Sequence, residues 1–179
     1  TGVDADGDPA SVTLTASVVD DIPVVSTANE SFSVDEDDLP AGTDTSKESL
    51  SVSGSVQDNV NWGADGFSGV TTVTAASGSP TTNDNGTTTT LSTADWQLVV
   101  TKATGAYTFT LLDEMTHANA NGENTLTLPV FTVTGVDADG DPASVTLTAS
   151  VVDDIPVVST ANESFSVDED DLPAGTDTS

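Results

Sequence analysis

Forty-six consecutive residues occur twice, letter for letter. Thr1–Ser46 (TGVDADGDPASVTLTASVVDDIPVVSTANESFSVDEDDLPAGTDTS) recurs as Thr134–Ser179, at an offset of 133 residues in a chain of 179. Such a chain is one full period plus an overlap, so it has to fold as a repeat unit flanked by parts of its neighbours. A 133-residue period is the size of a domain rather than of the short units that stack into solenoids. Asp153-Asp154-Ile155-Pro156 closes an alternating segment with a proline, a residue that strand interiors exclude, and its copy is Asp20-Asp21-Ile22-Pro23. Cutting there predicts the tail of a preceding repeat at Thr1–Asp21, a complete module at Ile22–Asp154 and the head of a following repeat at Ile155–Ser179.

The module reads as all-β. Val145, Leu147, Ala149 and Val151 alternate with Ser or Thr, as do Tyr107, Phe109 and Leu111, and Trp96, Leu98 and Val100. Leu126 and Leu128 alternate, and Phe131 and Val133 continue one position out of phase; Pro129 at the slip predicts a bulge. Further strands are expected near Ser31–Val34, Leu50–Val56 and Gly69–Ala75, with Ser77–Thr90 read as turn-rich sequence. No segment has helical periodicity. About seven strands in such a module predict an immunoglobulin-like β-sandwich. Leu, Ile, Val and Phe make up 23% of the chain, just above the level of roughly 20% below which disorder is the better expectation.

Charge narrows the function. The chain has 30 acidic residues, 2 lysines and a formal net charge of −28. It cannot neutralise a row of phosphates, which argues against nucleic-acid binding, and anionic lipid would repel it. Without cysteine there are no disulfides, thiolate metal sites or thiol nucleophiles. No run of about 18 apolar residues suggests membrane insertion. No signal peptide opens the chain, and its Thr-Gly start reads as the edge of an excised piece.

Topology predicts where the acids gather. The last strand, about Ser144–Val152, ends at the module's C-terminal pole, so the preceding hairpin loop with Asp137, Asp139 and Asp141 lies at the N-terminal pole. The first strand then carries Asp35-Glu36-Asp37-Asp38 to the C-terminal pole, where Asp113 and Glu114 also arrive. Clustered carboxylates without cations either protonate or bind a metal. Asp-x-Asp-Gly-Asp is a hard-oxygen array in a tight turn, which favours Ca2+ over transition metals, although the spacing is not that of an EF-hand. The alternative is an acidic hairpin that is only solvated. The linker pairs Asp20/Asp21 and Asp153/Asp154 are either polar linkers or parts of calcium-clamped joints. In the second reading Asp20 and Asp21 meet Asp137, Asp139 and Asp141, while Asp153 and Asp154 meet Glu36, Asp37, Asp113 or Glu114.

Other sites find less support. His117 is the single histidine and is expected to make a loop or pole hydrogen bond. No nucleophile elbow or Ser/His/Asp order is present, and the chain is not expected to be an enzyme. The Gly63-Ala64-Asp65-Gly66 stretch beside Trp62 reads as a structural loop.

The run YTFTLLDEMTH…NTLTLPVFTVTGVDADGDPASVTLTASVVDDIPVV, with FSVDEDDLPAGTDT and NWGADGF, resembles the tandem repeats of giant RTX-type adhesins exported by type I secretion. The likeness spans essentially the whole module; DADGD-to-DDIP and DEDDLP are its most specific parts. It implies immunoglobulin-like extender modules in tandem, similar to cadherin repeats in using Ca2+ at their junctions. Such arrays hold a distal ligand-binding region away from the cell surface for attachment and biofilm formation. The matching acids are Asp137, Asp139, Asp141, Asp153 and Asp154, with copies Asp4, Asp6, Asp8, Asp20 and Asp21. The nonapeptide Gly-Gly-x-Gly-x-Asp repeats of the secretion end are missing, so the resemblance places the piece inside the array.

The resemblance also implies an extracellular, monomeric module whose partners are the adjacent repeats of its own polypeptide, with the adhesion ligand belonging to other domains. The rival expectation is a repeat that itself binds a glycan or a surface, including ice, through an exposed Thr face such as Thr71, Thr72 and Thr74 or Thr87–Thr90.

Overall fold

A computed structural model describes residues 1–119, 121–159, 162–168 and 173–174. The expected head of a following repeat thus lies partly outside the described residues. Strands appear in the order β1 (Gly2–Val3), β2 (Pro9–Ala10), β3 (Val24–Val25), β4 (Asn29–Asp35), β5 (Ser51–Ser55), β6 (Val60–Asn61) and β7 (Phe67–Ala75). They continue with β8 (Thr81–Asp84), β9 (Thr88–Ser92), β10 (Trp96–Thr101), β11 (Ala106–Leu111), β12 (Thr125–Thr127), β13 (Phe131–Asp137) and β14 (Pro142–Val152). Helical structure among the described residues is confined to short 3-10 turns at Glu36–Asp38 and Val56–Asn59, so the protein is all-β.

Two five-stranded sheets make the body. One has the order β5-β11-β10-β9-β8; the other runs β12-β14-β13-β7, with β4 joined to β14. Period-2 alternation sends one face of each inward. Leu98, Val100, Phe109 and Leu111 from the first sheet and Phe131, Val133, Leu147 and Val151 from the second are almost completely buried. Aromatic rings join the two layers: Trp96 and Phe131 meet edge-on at 5.1 Å, and Phe32 lies 5.5 Å from Phe109.

The phase slip at Pro129 is a register shift. Thr127 faces Ser150 and the Leu128 amide bonds Ala149, yet Phe131 already faces Leu147, so β12 and β13 follow β14 with one extra residue between them. Pro129 has no amide to leave unpaired there. The turn-rich reading of Ser77–Thr90 needs correction, because that stretch holds all of β8 and the start of β9. Threonine is a strand former, and Asn85-Gly86 turns the chain between them, with Gly86 at φ +86° and the side-chain Oδ1 of Asn85 accepting the Thr87 and Thr88 amides.

The pairing that positions the acids is β4 on β14. It is parallel, from Thr146↔Asn29 to Val152↔Asp35, so both strands end at one pole. Asp35–Asp38 and Asp153–Asp154 therefore emerge together. The β13–β14 loop, Ala138–Asp141, turns at the opposite pole.

Candidate metal centre

At the N-terminal pole the loop folds around one carboxylate. Asp137 Oδ1 accepts the amides of Gly140 at 3.0 Å and Asp141 at 2.7 Å, and Gly140 takes φ +110°, a conformation suited to glycine. Asp137 is only 1% exposed, and its Oδ2 is buried with no hydrogen-bond partner. Oxygens of Asp137, Asp139 and Asp141 lie within 4.8 Å of one another, and so do those of Asp20, Asp65 and Asp139. The preceding linker thus reaches the loop. Asp21 turns instead to the 61–66 segment, where its Oδ2 accepts the Ala64 amide at 3.0 Å. Gly63, at φ +67°, permits this: a Cβ there would stand 2.5 Å from Asp21 Oδ2.

The electrostatics follow from crowding. Burial works to raise the Asp137 pKa, but hydrogen bonds from the Asp139 carboxyl and the Asp141, Gly140 and Asp139 amides outweigh it and hold Asp137 below its ordinary value. The same carboxyl–carboxyl hydrogen bond, with burial and the charges of Asp137 and Asp20, pushes Asp139 up to about 6. Burial and the charges of Asp137 and Asp20 raise Asp141 as well. The crowded carboxylates repel one another, and a cation would offset that repulsion. The donor set is all oxygen, with a buried oxygen lacking a partner, and it fits a hard cation such as Ca2+.

The C-terminal pole is built differently. A cleft of about 430 Å³ is lined by Glu36, Leu39, Asp113, Glu114 and Asp154 among others, which brings four of the expected acids to one place but neither Asp153 nor Asp37. Asp154 is engaged by Thr43, accepting its amide at 3.1 Å and its hydroxyl at 2.5 Å. Asp37 points elsewhere, grouping with Asp38 and Asp44. Its pKa is raised by burial and by Asp35. Glu36 and Asp153 come together with His117.

Comparison of the chain with protein families, curated proteins and solved structures gave no match.

Two residues read as structural in the sequence stand among the acids. Asp65 joins the N-terminal cluster because Trp62 and Phe67, 4.9 Å apart, clamp its loop over Gly135. The Asp65-Gly66 turn signal was visible, but the long-range contact was not. His117 does make a pole hydrogen bond, to Glu36 at 3.2 Å, but within a carboxylate group. The copy Asp4, Asp6 and Asp8 also clusters, fully exposed, at the other end of the duplication. Among the Thr candidates, Thr71, Thr72 and Thr74 are exposed on β7, whereas Thr89 is buried and interrupts Thr87–Thr90.

Proposed function

We propose that the chain is a calcium-stabilised structural extender of a large bacterial surface adhesin. In this reading the sandwich is immunoglobulin-like, and its repeats stand in line outside the cell after type I secretion. They hold a distal adhesive region at a distance for attachment or biofilm formation. The resemblance of the sequence to RTX adhesin repeats supplies the biological setting.

The observation that supports the reading is the buried, unpartnered Oδ2 of Asp137 beside Asp139, whose carboxylate also groups with the linker residue Asp20. Asp137, Asp139, Asp141, Asp20 and Asp65 would hold the ion. Calcium would supply the positive charge that this chain, with 2 lysines against 30 acids, lacks. The residues do the mechanical work. Asp137 fixes the loop through its amides, Asp20 brings the preceding linker against it, and Asp21 ties that linker to the Ala64 amide. An ion held only by the folded, joined state stabilises that state in proportion to RT ln(1 + [L]/Kd).

Thermal melting and small-angle scattering in calcium and in EDTA test this. Calcium is expected to raise the midpoint and to narrow the distribution of particle lengths. An unchanged midpoint together with an unchanged length would sink the reading.

A further inference from the structure

We infer that the groove in which β4 lies also accepts residues 155–168 of a second copy of this chain, so that copies associate by exchanging identical edge strands. Exchange of this kind needs no calcium.

The groove is defined by what β4 fills. Among the described residues β4 pairs with β14 alone, in parallel, from Thr146↔Asn29 to Val152↔Asp35. Phe32 stands 5.9 Å from the Tyr107 ring and 5.5 Å from the Phe109 ring, and Val34 is buried. Tyr107 donates its hydroxyl to Glu30. The Thr146 and Thr148 hydroxyls donate to Asn29 Oδ1 at 3.0 and 3.1 Å. Just before β4, Ser26 donates both its amide and its hydroxyl to the Asn59 carbonyl at 2.8 Å. Every partner in this set lies outside residues 22–35.

A second segment of the chain carries the same side chains. Residues 155–168 repeat 22–35 letter for letter, as IPVVSTANESFSVD. Their described part adopts no strand, and Phe165 is 89% and Val167 84% exposed. Because the two sequences are identical, the second segment can make each contact that β4 makes, and exchange loses none of them. The groove that fits this exposed segment is present on every other copy of the chain.

Chain length decides which copy supplies the groove. To lie beside its own β14, Asn162 would have to come opposite Thr146, at the far end of the ladder from Val152. Nine residues, 153–161, connect Val152 to Asn162. A crossover between parallel neighbours takes about a dozen or more. The groove of another molecule imposes no such limit. An edge strand is the element most open to replacement by another chain, and swapping of identical elements is a low-cost route to association. The resident β4 is tethered, at an effective concentration on the order of millimolar. Exchange therefore grows with protein concentration and with any weakening of β4.

The test uses the full chain, which has no cysteine of its own. Ser150 pairs with Ser33 in the ladder, so Ser166, the copy of Ser33, comes opposite Ser150 of the accepting molecule. In a thiol–disulfide buffer, S150C/S166C is expected to give dimers linked 150 to 166, rising with protein concentration and identified by peptide mass spectrometry. S144C/S166C should give about tenfold fewer, because Ser144 lies outside the β4 ladder and bridged Cα atoms must come within about 7 Å. F32A weakens the resident strand and leaves the donor intact. It should dimerise at least about tenfold more strongly in sedimentation velocity, and F32A/F165A should lose that gain. Linkage within one molecule, equal linkage at Ser144 and Ser150, or a folded F32A chain that associates no more than the unmodified one would overturn the inference. The cross-linking measurement leaves Phe32 in place and decides the matter even if F32A folds poorly.

Discussion

Asp20 and Asp139 come within 4.8 Å of each other, although almost the whole module lies between them in sequence. One belongs to the linker that enters the module and the other to the loop before its last strand. Their meeting brings the entering linker against the loop at the N-terminal pole. Because the sequence around Asp137 is present twice, several consequences can be tested against a control within the same molecule.

Asp137 and its copy Asp4 should respond differently to the same change. Asp137→Ala removes the acceptor of two amides in a buried setting and is expected to cost about 1–3 kcal/mol in EDTA. Asp4→Ala acts on an exposed loop of the same internal geometry and should leave global stability unchanged. Urea denaturation of the two variants measures the difference.

Stability without divalent cations should fall with rising pH in a defined window. Asp139 has a folded pKa of about 6 against an ordinary value of 3.8, so its contribution is complete below about 4 and is lost as pH rises through 6. Asp141 is shifted in the same direction. Asp137, shifted downward, opposes them only at lower pH. Melting in EDTA from pH 4 to 7 should show the decline, and the gain from calcium should be largest above pH 6. A midpoint flat across that range would contradict the raised Asp139 pKa.

Gly135 should not tolerate a methyl group. A Cβ there would stand 2.8 Å from Phe67 and 2.9 Å from Trp62, whereas its copy Gly2 has nothing within 4 Å. Gly135→Ala is expected to destabilise by about 1–3 kcal/mol and to alter Trp62 fluorescence as the loop carrying Asp65 shifts. Gly2→Ala should change neither.

Leu147 and Leu14 make a fourth pair. Leu147 is fully buried on β14, and Leu14 is 91% exposed. Leu147→Ala should cost about 2–5 kcal/mol and Leu14→Ala close to nothing, as read by chemical denaturation.

Much of the fold could be read from period-2 alternation, because strands buried on one face repeat every second residue. Phe131, Val133, Val145 and Leu147 announced the core in this way, and Pro129 announced the slip. The hairpin of β8 and β9 was hidden because β8 is exposed throughout and carries no alternation; only Asn85-Gly86 marked it. The two poles followed from counting strand directions, which the parallel β4–β14 pairing satisfies. Asp65 and His117 could not be foreseen as members of the clusters. Their partners lie far along the chain, and nothing local distinguishes them from ordinary loop residues.

The duplicated 46 residues separate what sequence determines from what tertiary structure decides. In both copies the Asp-x-Asp-Gly-Asp loop closes the same way: the Asp8 amide bonds Asp4 Oδ1 at 2.8 Å as the Asp141 amide bonds Asp137 Oδ1 at 2.7 Å. Gly2↔Ala10 and Val3↔Pro9 repeat the register Gly135↔Ala143 and Val136↔Pro142. These bonds span only a few residues, so closing the turn costs little chain entropy and any context allows it. Beyond the turn the copies part. Thr134–Val152 gains β4, β7 and the facing sheet and becomes the centre of the core, while its twin leaves Val12, Leu14, Val18 and Val19 exposed. Phe32 stacks on Tyr107 and Phe109, whereas Phe165, with the same neighbours in sequence, is 89% exposed. A strand is stabilised by partners it does not encode; only the segment with those partners within reach recovers enough from burial to offset the entropy of being ordered.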